Sequence, residues 1–280
     1  MSEAVIRAEI KFLFTLTLVL CAFPVTAYLQ RRLTPGFTIT RVRNFSPIRK
    51  KPTREQRLLL EPLQEDKDRY ASLLAKPGTG IVRLLPDLGC ESSTYVVRVD
   101  ETCRNAVPGG PFFSFRENEH TIDVLSDIRL NEGILISDGI LSQGLIVGLG
   151  NVSLESVNMR SPGMDFLQEY VPEPASPDAH KQSVQITNGI NRNGFEYRSF
   201  VRAAENATFG MRIIAYRGTF LRSFQGVVYD ILQGDERIDL TLAFRVVRMH
   251  PDGGVTLIWT RLEERDSPKL IKKKKRNDKN

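Results

Sequence analysis

Ten consecutive residues constrain this chain more than any others. From 238 to 247 the sequence alternates Ile238, Leu240, Leu242, Phe244 and Val246 with Asp239, Thr241, Ala243, Arg245 and Val247. A strand points successive side chains to opposite faces, so the pattern predicts a β-strand with one buried face. His250-Pro-Asp-Gly-Gly254 supplies turn chemistry, and Val255, Leu257 and Trp259 resume the inward set against Thr256 and Thr260. With further strands read at 211–217 and 227–232, residues 195–266 are expected to form a four-stranded antiparallel meander.

Upstream the same reading gives short strands at 81–85, 95–99 and 112–115, each bounded by Pro, Gly or Asp. Residues 128–130, then Asn131-Glu132-Gly133, then 134–136 read as a tight hairpin with glycine in the left-handed position. The run 145–149 is a strand whose Gly144, Gly148 and Gly150 mark close backbone packing, because no Gly-Lys-Ser/Thr follows to make a phosphate loop. Helical spacing of Leu59, Leu63, Tyr70 and Leu74 predicts one helix from about Pro62 to Lys76, with Glu65 and Arg69 paired on its wet side. A second, short helix is expected at 164–170. The fold class is therefore α+β, mostly antiparallel β, with an amino-terminal helix on or beside a sheet that either closes as a barrel or pairs as a sandwich.

Charge is distributed unevenly. The whole chain is +6, but 28–54 carries +8 with no acidic residue and 267–280 carries +6, which leaves 55–266 at −8. A nucleic-acid reader places its basic residues on a folded face, so the basic pI does not indicate one here, and no specific nucleic-acid partner is expected. The flanks instead suit electrostatic contact with an anionic membrane or an envelope polymer, with Lys272, Lys273, Lys274, Lys275 and Arg276 as the contact residues of the tail.

The apolar run 12–23 follows Arg7 and Lys11 and precedes Val25-Thr26-Ala27, the order of a secretory signal cleaved after Ala27. The alternative is an uncleaved anchor, since no charge occurs between Lys11 and Arg31. Export after cleavage would leave Cys90 and Cys103 as an even pair in an oxidising compartment, and a disulfide between them is expected. The resulting organisation is 1–27 signal or anchor, 28–54 basic linker, 55–171 helix plus β-rich region, 172–194 Pro-rich polar connection, 195–266 meander and 267–280 basic tail. The expected location is secreted or periplasmic.

Familiar catalytic and nucleotide motifs are missing: no G-x-S-x-G, H-E-x-x-H, Walker A, dinucleotide fingerprint or paired C-x-x-C occurs. The densest titratable cluster is Glu117, Glu119, His120, Asp123 and Asp127. Its oxygens suit calcium as the one cofactor worth considering, and unequal carboxylate environments could divide acid from base roles. The leading expectation is a non-catalytic exported binding or interaction protein of unknown ligand. The alternative is a glycan hydrolase working on carboxylates drawn from that cluster with Glu132 and Asp138, across a cleft lined by Phe112, Phe113 or Phe115.

Overall fold

A computed structural model describes residues 52–91, 101–137, 139–224 and 227–271. The signal or anchor segment, nearly all of the basic linker, the strand expected at 95–99, Asp138 and the tail from Lys272 to Arg276 lie outside the described residues. Among the described residues three short helices come first: α1 (Arg54–Leu60), α2 (Gln64–Arg69) and α3 (Ala71–Leu74). Strands β1 (Thr79–Leu84), β2 (Phe112–Ser114), β3 (Glu119–His120), β4 (Ile128–Asn131), β5 (Ile134–Ile136) and β6 (Ser142–Gly150) follow. Helices α4 (Asp165–Glu169) and α5 (Ser176–Asn188) precede β7 (Ile190–Arg192), β8 (Phe195–Arg198), β9 (Phe200–Arg202) and β10 (Thr208–Ala215). The last elements among the described residues are β11 (Leu221–Phe224), β12 (Val227–Asp230), β13 (Ile238–Met249) and β14 (Val255–Asp266).

A seven-stranded sheet in the order β1-β14-β13-β10-β6-β8-β7 faces a five-stranded sheet in the order β3-β2-β4-β5-β9, and every ladder in them is antiparallel. This is a β-sandwich-like arrangement within the expected α+β class. Between the sheets Phe113, Phe115, Ile128 and Leu130 pack on Leu84, Met211, Leu242, Phe244 and Trp259. The other face of the large sheet is also dry. There Val147, Ile214, Ala243 and Ile258 lie under Met164, Leu167, Tyr170 and Ile186 of the helical layer.

That third layer corrects the single buried face expected for β13. Leu240, Leu242, Phe244 and Val246 point into the sandwich, but Asp239, Thr241, Ala243 and Val247 on the reverse face are buried as well. Asp239 tolerates burial because Arg212 grips it with two hydrogen bonds of 2.8 and 2.6 Å. Arg212 then spends its remaining donor on the Leu167 and Tyr170 carbonyls at 2.6 and 2.7 Å, tying the helical layer to the sheet.

The four-stranded meander is also corrected. β10 pairs directly with β13, whereas β12 pairs with β11 in a separate two-stranded ribbon. The β-branched run at 227–228 found a local partner, and Asp230 accepts from the Phe220 and Leu232 amides to fasten the base of that ribbon. The hairpin β4–β5 is as expected, with both Glu132 (φ 48°) and Gly133 (φ 73°) left-handed.

The single helix expected from Pro62 to Lys76 is broken at Tyr70, and α1 precedes it within the residues assigned to linker and helix. Thr53 caps α1 reciprocally with Gln56, so the helix begins where the backbone amides find an acceptor. Leu59 and Leu63 are exposed rather than buried. Instead α2 docks through Asp66, which binds Arg248 at 2.7 and 2.8 Å and is buried. Glu65 joins the same arginine and not Arg69. The polar connection expected at 172–194 is likewise a helix and a strand. α5 carries Pro177 in its first turn and ends at Gly189 (φ 97°), but it buries only Ala179 and Ile186. Two apolar contacts are too few to show as a stripe.

Candidate functional site

The acidic cluster singled out in the sequence does not converge. Asp127 is fully buried and committed to structure. One of its oxygens accepts from Arg116 Nε at 2.7 Å; the other accepts from the Ser114 hydroxyl at 3.1 Å and the Arg116 amide at 3.0 Å. Glu117 accepts from the Glu236 amide, and Asp123 accepts from the Val124 amide at 2.7 Å. Glu119 is exposed on β3 opposite Ser114. Glu132 is exposed in the β4–β5 turn. Among the described residues no three His, Cys, Asp or Glu side chains come together as a metal-holding group.

His120 turns inward, away from these acids. Its Nδ1 lies 3.1 and 3.2 Å from the Gly109 and Phe112 carbonyls, and its ring meets Phe113 edge-on. Burial pushes its pKa below the ordinary histidine value, against the opposing pull of the Gly109, Phe112 and Arg83 backbone groups. Phe112, Phe113 and Phe115, expected to line any glycan cleft, are all buried. They build the sandwich interior and its surroundings, not a cleft.

Arg116 is the centre of a buried network. Beyond Asp127 it reaches Asp235 at 3.0 Å and the Glu236 and Leu125 carbonyls. Asp235 also accepts from Arg237 at 2.8 Å, and Arg237 donates onward to the Ile140, Leu141 and Tyr216 carbonyls. Burial disfavours the Arg116 cation, but Asp127 and Asp235 outweigh it and hold its pKa above the ordinary arginine value. For Arg237 burial prevails and the pKa is lowered despite Asp235. These groups are a fastening between the small sheet and the segment that leads into β13.

A small polar pocket of about 180 Å³ lies beside α5, lined by Ser137, Ser142, Ser183, Thr187 and Ser199 around Gln143. Gln143 already spends its amide on the Ala179 carbonyl and Ser183 and its oxygen on Tyr216, so the floor of this pocket is occupied by the protein itself.

The better concavity lies at the opposite end of the long β13–β14 hairpin from Asp239, beside its turn. It is a groove of about 270 Å³ with walls of Leu59, Leu85, Pro86, Leu88, Val107 and Pro111. The expected disulfide is present: Cys90 and Cys103 are joined, with Cα atoms 5.5 Å apart, and both are buried. Cys90 lines the groove, so the bridge ties the wall at 85–91 to the segment leading into the wall at 105–111. Glu91 accepts from the Gly109 amide across the same gap, and Leu85 donates to the Gly110 carbonyl at 3.0 Å.

Asp87, Glu91 and Asp252 also line this groove, and among the described residues no Lys or Arg does. Arg129 lies 3.8 Å from Asp87 and Arg83 lies 2.6 Å from Asp252, both from outside the lining. Leu59 and Leu88, which line it, are 49% and 52% exposed, and Leu58 on α1 and Leu63 after it are exposed as well. Of these residues only the cysteine carries a functional or structural signal in the sequence. Pro86, Leu88 and Pro111 carry no motif, and the helical spacing places Leu59 on a buried helix face. The legible signal was Pro86-Asp-Leu-Gly-Cys90, a turn sequence with an unaccounted leucine beside a cysteine.

Comparison with protein-family models, with curated proteins and with solved structures finds no match for this chain.

Proposed function

We propose that this chain is an exported, non-catalytic binding protein whose ligand site is the groove beside the Cys90–Cys103 bridge. The observation that carries the reading is the groove itself: an apolar concavity whose walls are linked by a disulfide and whose mouth exposes leucines. Apolar concavities with a few polar groups at their edge are the usual form of a ligand site. The commitment of Asp127 to Arg116 supports the non-catalytic part, because it removes the most buried carboxylate from any acid–base pair. The bridge supports export, since disulfides persist in oxidising compartments. The basic flanks, which carry +8 and +6, are assigned to reversible contact with an anionic membrane or envelope polymer.

The test is a thermal-shift screen of the full chain against sugars, polyanions, peptides and divalent cations. Saturable stabilisation by a compound recovered unchanged is expected, and Leu88→Ser should abolish it. Turnover of any screened glycan, lost on changing one of Glu117, Glu119, Asp123 or Glu132 to its amide, would overturn the reading.

A further inference from the structure

A leucine outside the groove points to a second contact. We infer that α1 and the basic residues before it dock on an anionic lipid bilayer, with Leu58 entering the acyl boundary. The inference rests on the assignment of the basic flanks above and is independent of the groove. Leu58 is not part of the groove lining, and at 61% it is the most exposed leucine among the described residues. Its direction follows from helix geometry. Gln56 donates to the Ala106 carbonyl at 3.2 Å and Leu60 is half-buried, so that side of α1 meets the body. Leu58 lies two residues from each, about 200° round the helix, and therefore points away from the body. Arg54, four residues before Leu58, shares its face, and Arg57 joins Arg54 at a spacing of three.

Two properties select the partner. Charge is the first. Arg49, Lys50, Lys51, Arg54 and Arg57 fall within nine residues, with Glu55 as the only acid among them. Arg54 and Arg57 are both exposed. The next two glutamates are met by the protein's own cations, since Glu61 lies 4.0 Å from Lys67 and Glu65 is held by Arg248. Each Lys or Arg near an anionic surface strengthens attachment about fivefold. Apolarity is the second property: from 58 to 63 three leucines, Leu58, Leu59 and Leu63, are exposed. A dissolved polyanion satisfies the cations but gives Leu58 nothing to enter. A bilayer offers phosphates to the arginines and an acyl boundary to the leucine beside them, so it is the partner that uses both.

Brominated lipid quenches a tryptophan that enters the bilayer, which makes Leu58→Trp a local reporter. The native Trp259 is buried between the sheets, out of the quencher's reach. The full chain bearing Leu58→Trp is mixed with vesicles of brominated phosphatidylcholine, either alone or with about one-third phosphatidylglycerol. The reading comes from α1 itself, so it holds whether or not residues 12–23 also insert. Quenching should be at least threefold greater with phosphatidylglycerol, and Arg49→Ser, Lys50→Ser and Lys51→Ser together should reverse that gain. Val184→Trp is the control. Val184 is exposed on α5, which packs by β6, whereas α1 packs by β1, four strands away in the large sheet; it should stay unquenched. Quenching at Leu58→Trp that ignores phosphatidylglycerol, or that Val184→Trp equals, would overturn the inference. So would an unquenched Leu58→Trp in a chain that still sediments with the anionic vesicles, and retention of that chain by long-chain polyphosphate would make a polymer the partner. Those results leave contact through charge standing. A chain that attaches to neither anionic vesicles nor polyphosphate loses the assignment of the flanks as well.

Discussion

Asp127→Asn separates a structural carboxylate from a functional one. The substitution preserves volume, so no cavity contributes. Asp127 accepts three hydrogen bonds, one on Oδ1 from Arg116 Nε and two on Oδ2 from Ser114 and the Arg116 amide. An asparagine has one acceptor oxygen, so in either orientation an N–H faces a donor: the Arg116 amide in one, the guanidinium in the other. Breaking a buried pair by removing one partner costs about 3–5 kcal/mol. Arg116 keeps Asp235 at 3.0 Å, which places the expected loss near the lower bound, about 3 kcal/mol. For a body of roughly two hundred residues that lowers the thermal midpoint by about 6–12 °C. Urea unfolding followed by the fluorescence of Trp259, the single tryptophan, reads it directly, since its ring meets Phe115 5.6 Å away in the same core. A loss under about 1 kcal/mol, the scale of an exposed ion pair, would refute the assignment of Asp127 to the framework.

Gly80→Ala should destabilise by about 1–3 kcal/mol, because a Cβ there would fall 2.5 Å from the Trp259 ring; the same urea titration checks it. Replacing both Cys90 and Cys103 by serine should cost about 3 kcal/mol from loop closure alone and should also weaken groove binding. Non-reducing peptide mapping of the protein from its native host should recover the two cysteines joined, and their recovery as free thiols would remove the support for the proposed export. His120 and His250 both have folded-state pKa values below the ordinary one, mainly from burial. Their stabilising contribution is present above about pH 6.5, where the unfolded imidazoles are neutral, and is lost as pH falls from there through the folded-state values. Thermal midpoints measured from pH 8 to pH 5 should therefore fall, and His120→Asn should make that limb shallower.

How much of this was legible follows from the range of each interaction. The β13–β14 hairpin, the β4–β5 turn and the strand at β6 are written in adjacent residues, and the structure has them where alternation and turn chemistry place them. The capping box Thr53-x-x-Gln56 was equally local and readable, but the one-sign charge around it drew those residues into a linker. α5 could not be read by periodicity, because the helix covers the sheet with only Ala179 and Ile186 and meets it otherwise through Ser183 and backbone. The split of the helix at Tyr70 has a similar origin. Its docking residue is a buried aspartate, not a leucine, and no propensity scale places Asp66 in a core.

The candidate site was hidden for a related reason. An acid in a sequence is read by its neighbours, but the partners that decide its role here are distant. Asp127 meets Arg116 across 11 residues, Asp239 meets Arg212 across 27, Asp235 meets Arg116 across 119 and Asp66 meets Arg248 across 182. Each pairing turns a carboxylate that looked available into a fastening, and together they tie α2, the small sheet and the helical layer to the same large sheet. Buried pairs of this kind seldom add net stability over apolar packing of the same shape, so what they contribute here is definition of which layer docks where. With those acids spent, the concavity that remains as the proposed site is the mainly apolar groove where α1, the turn after β1 and the disulfide meet. The fold uses its central charges internally and leaves leucines such as Leu59 and Leu88 exposed at the groove.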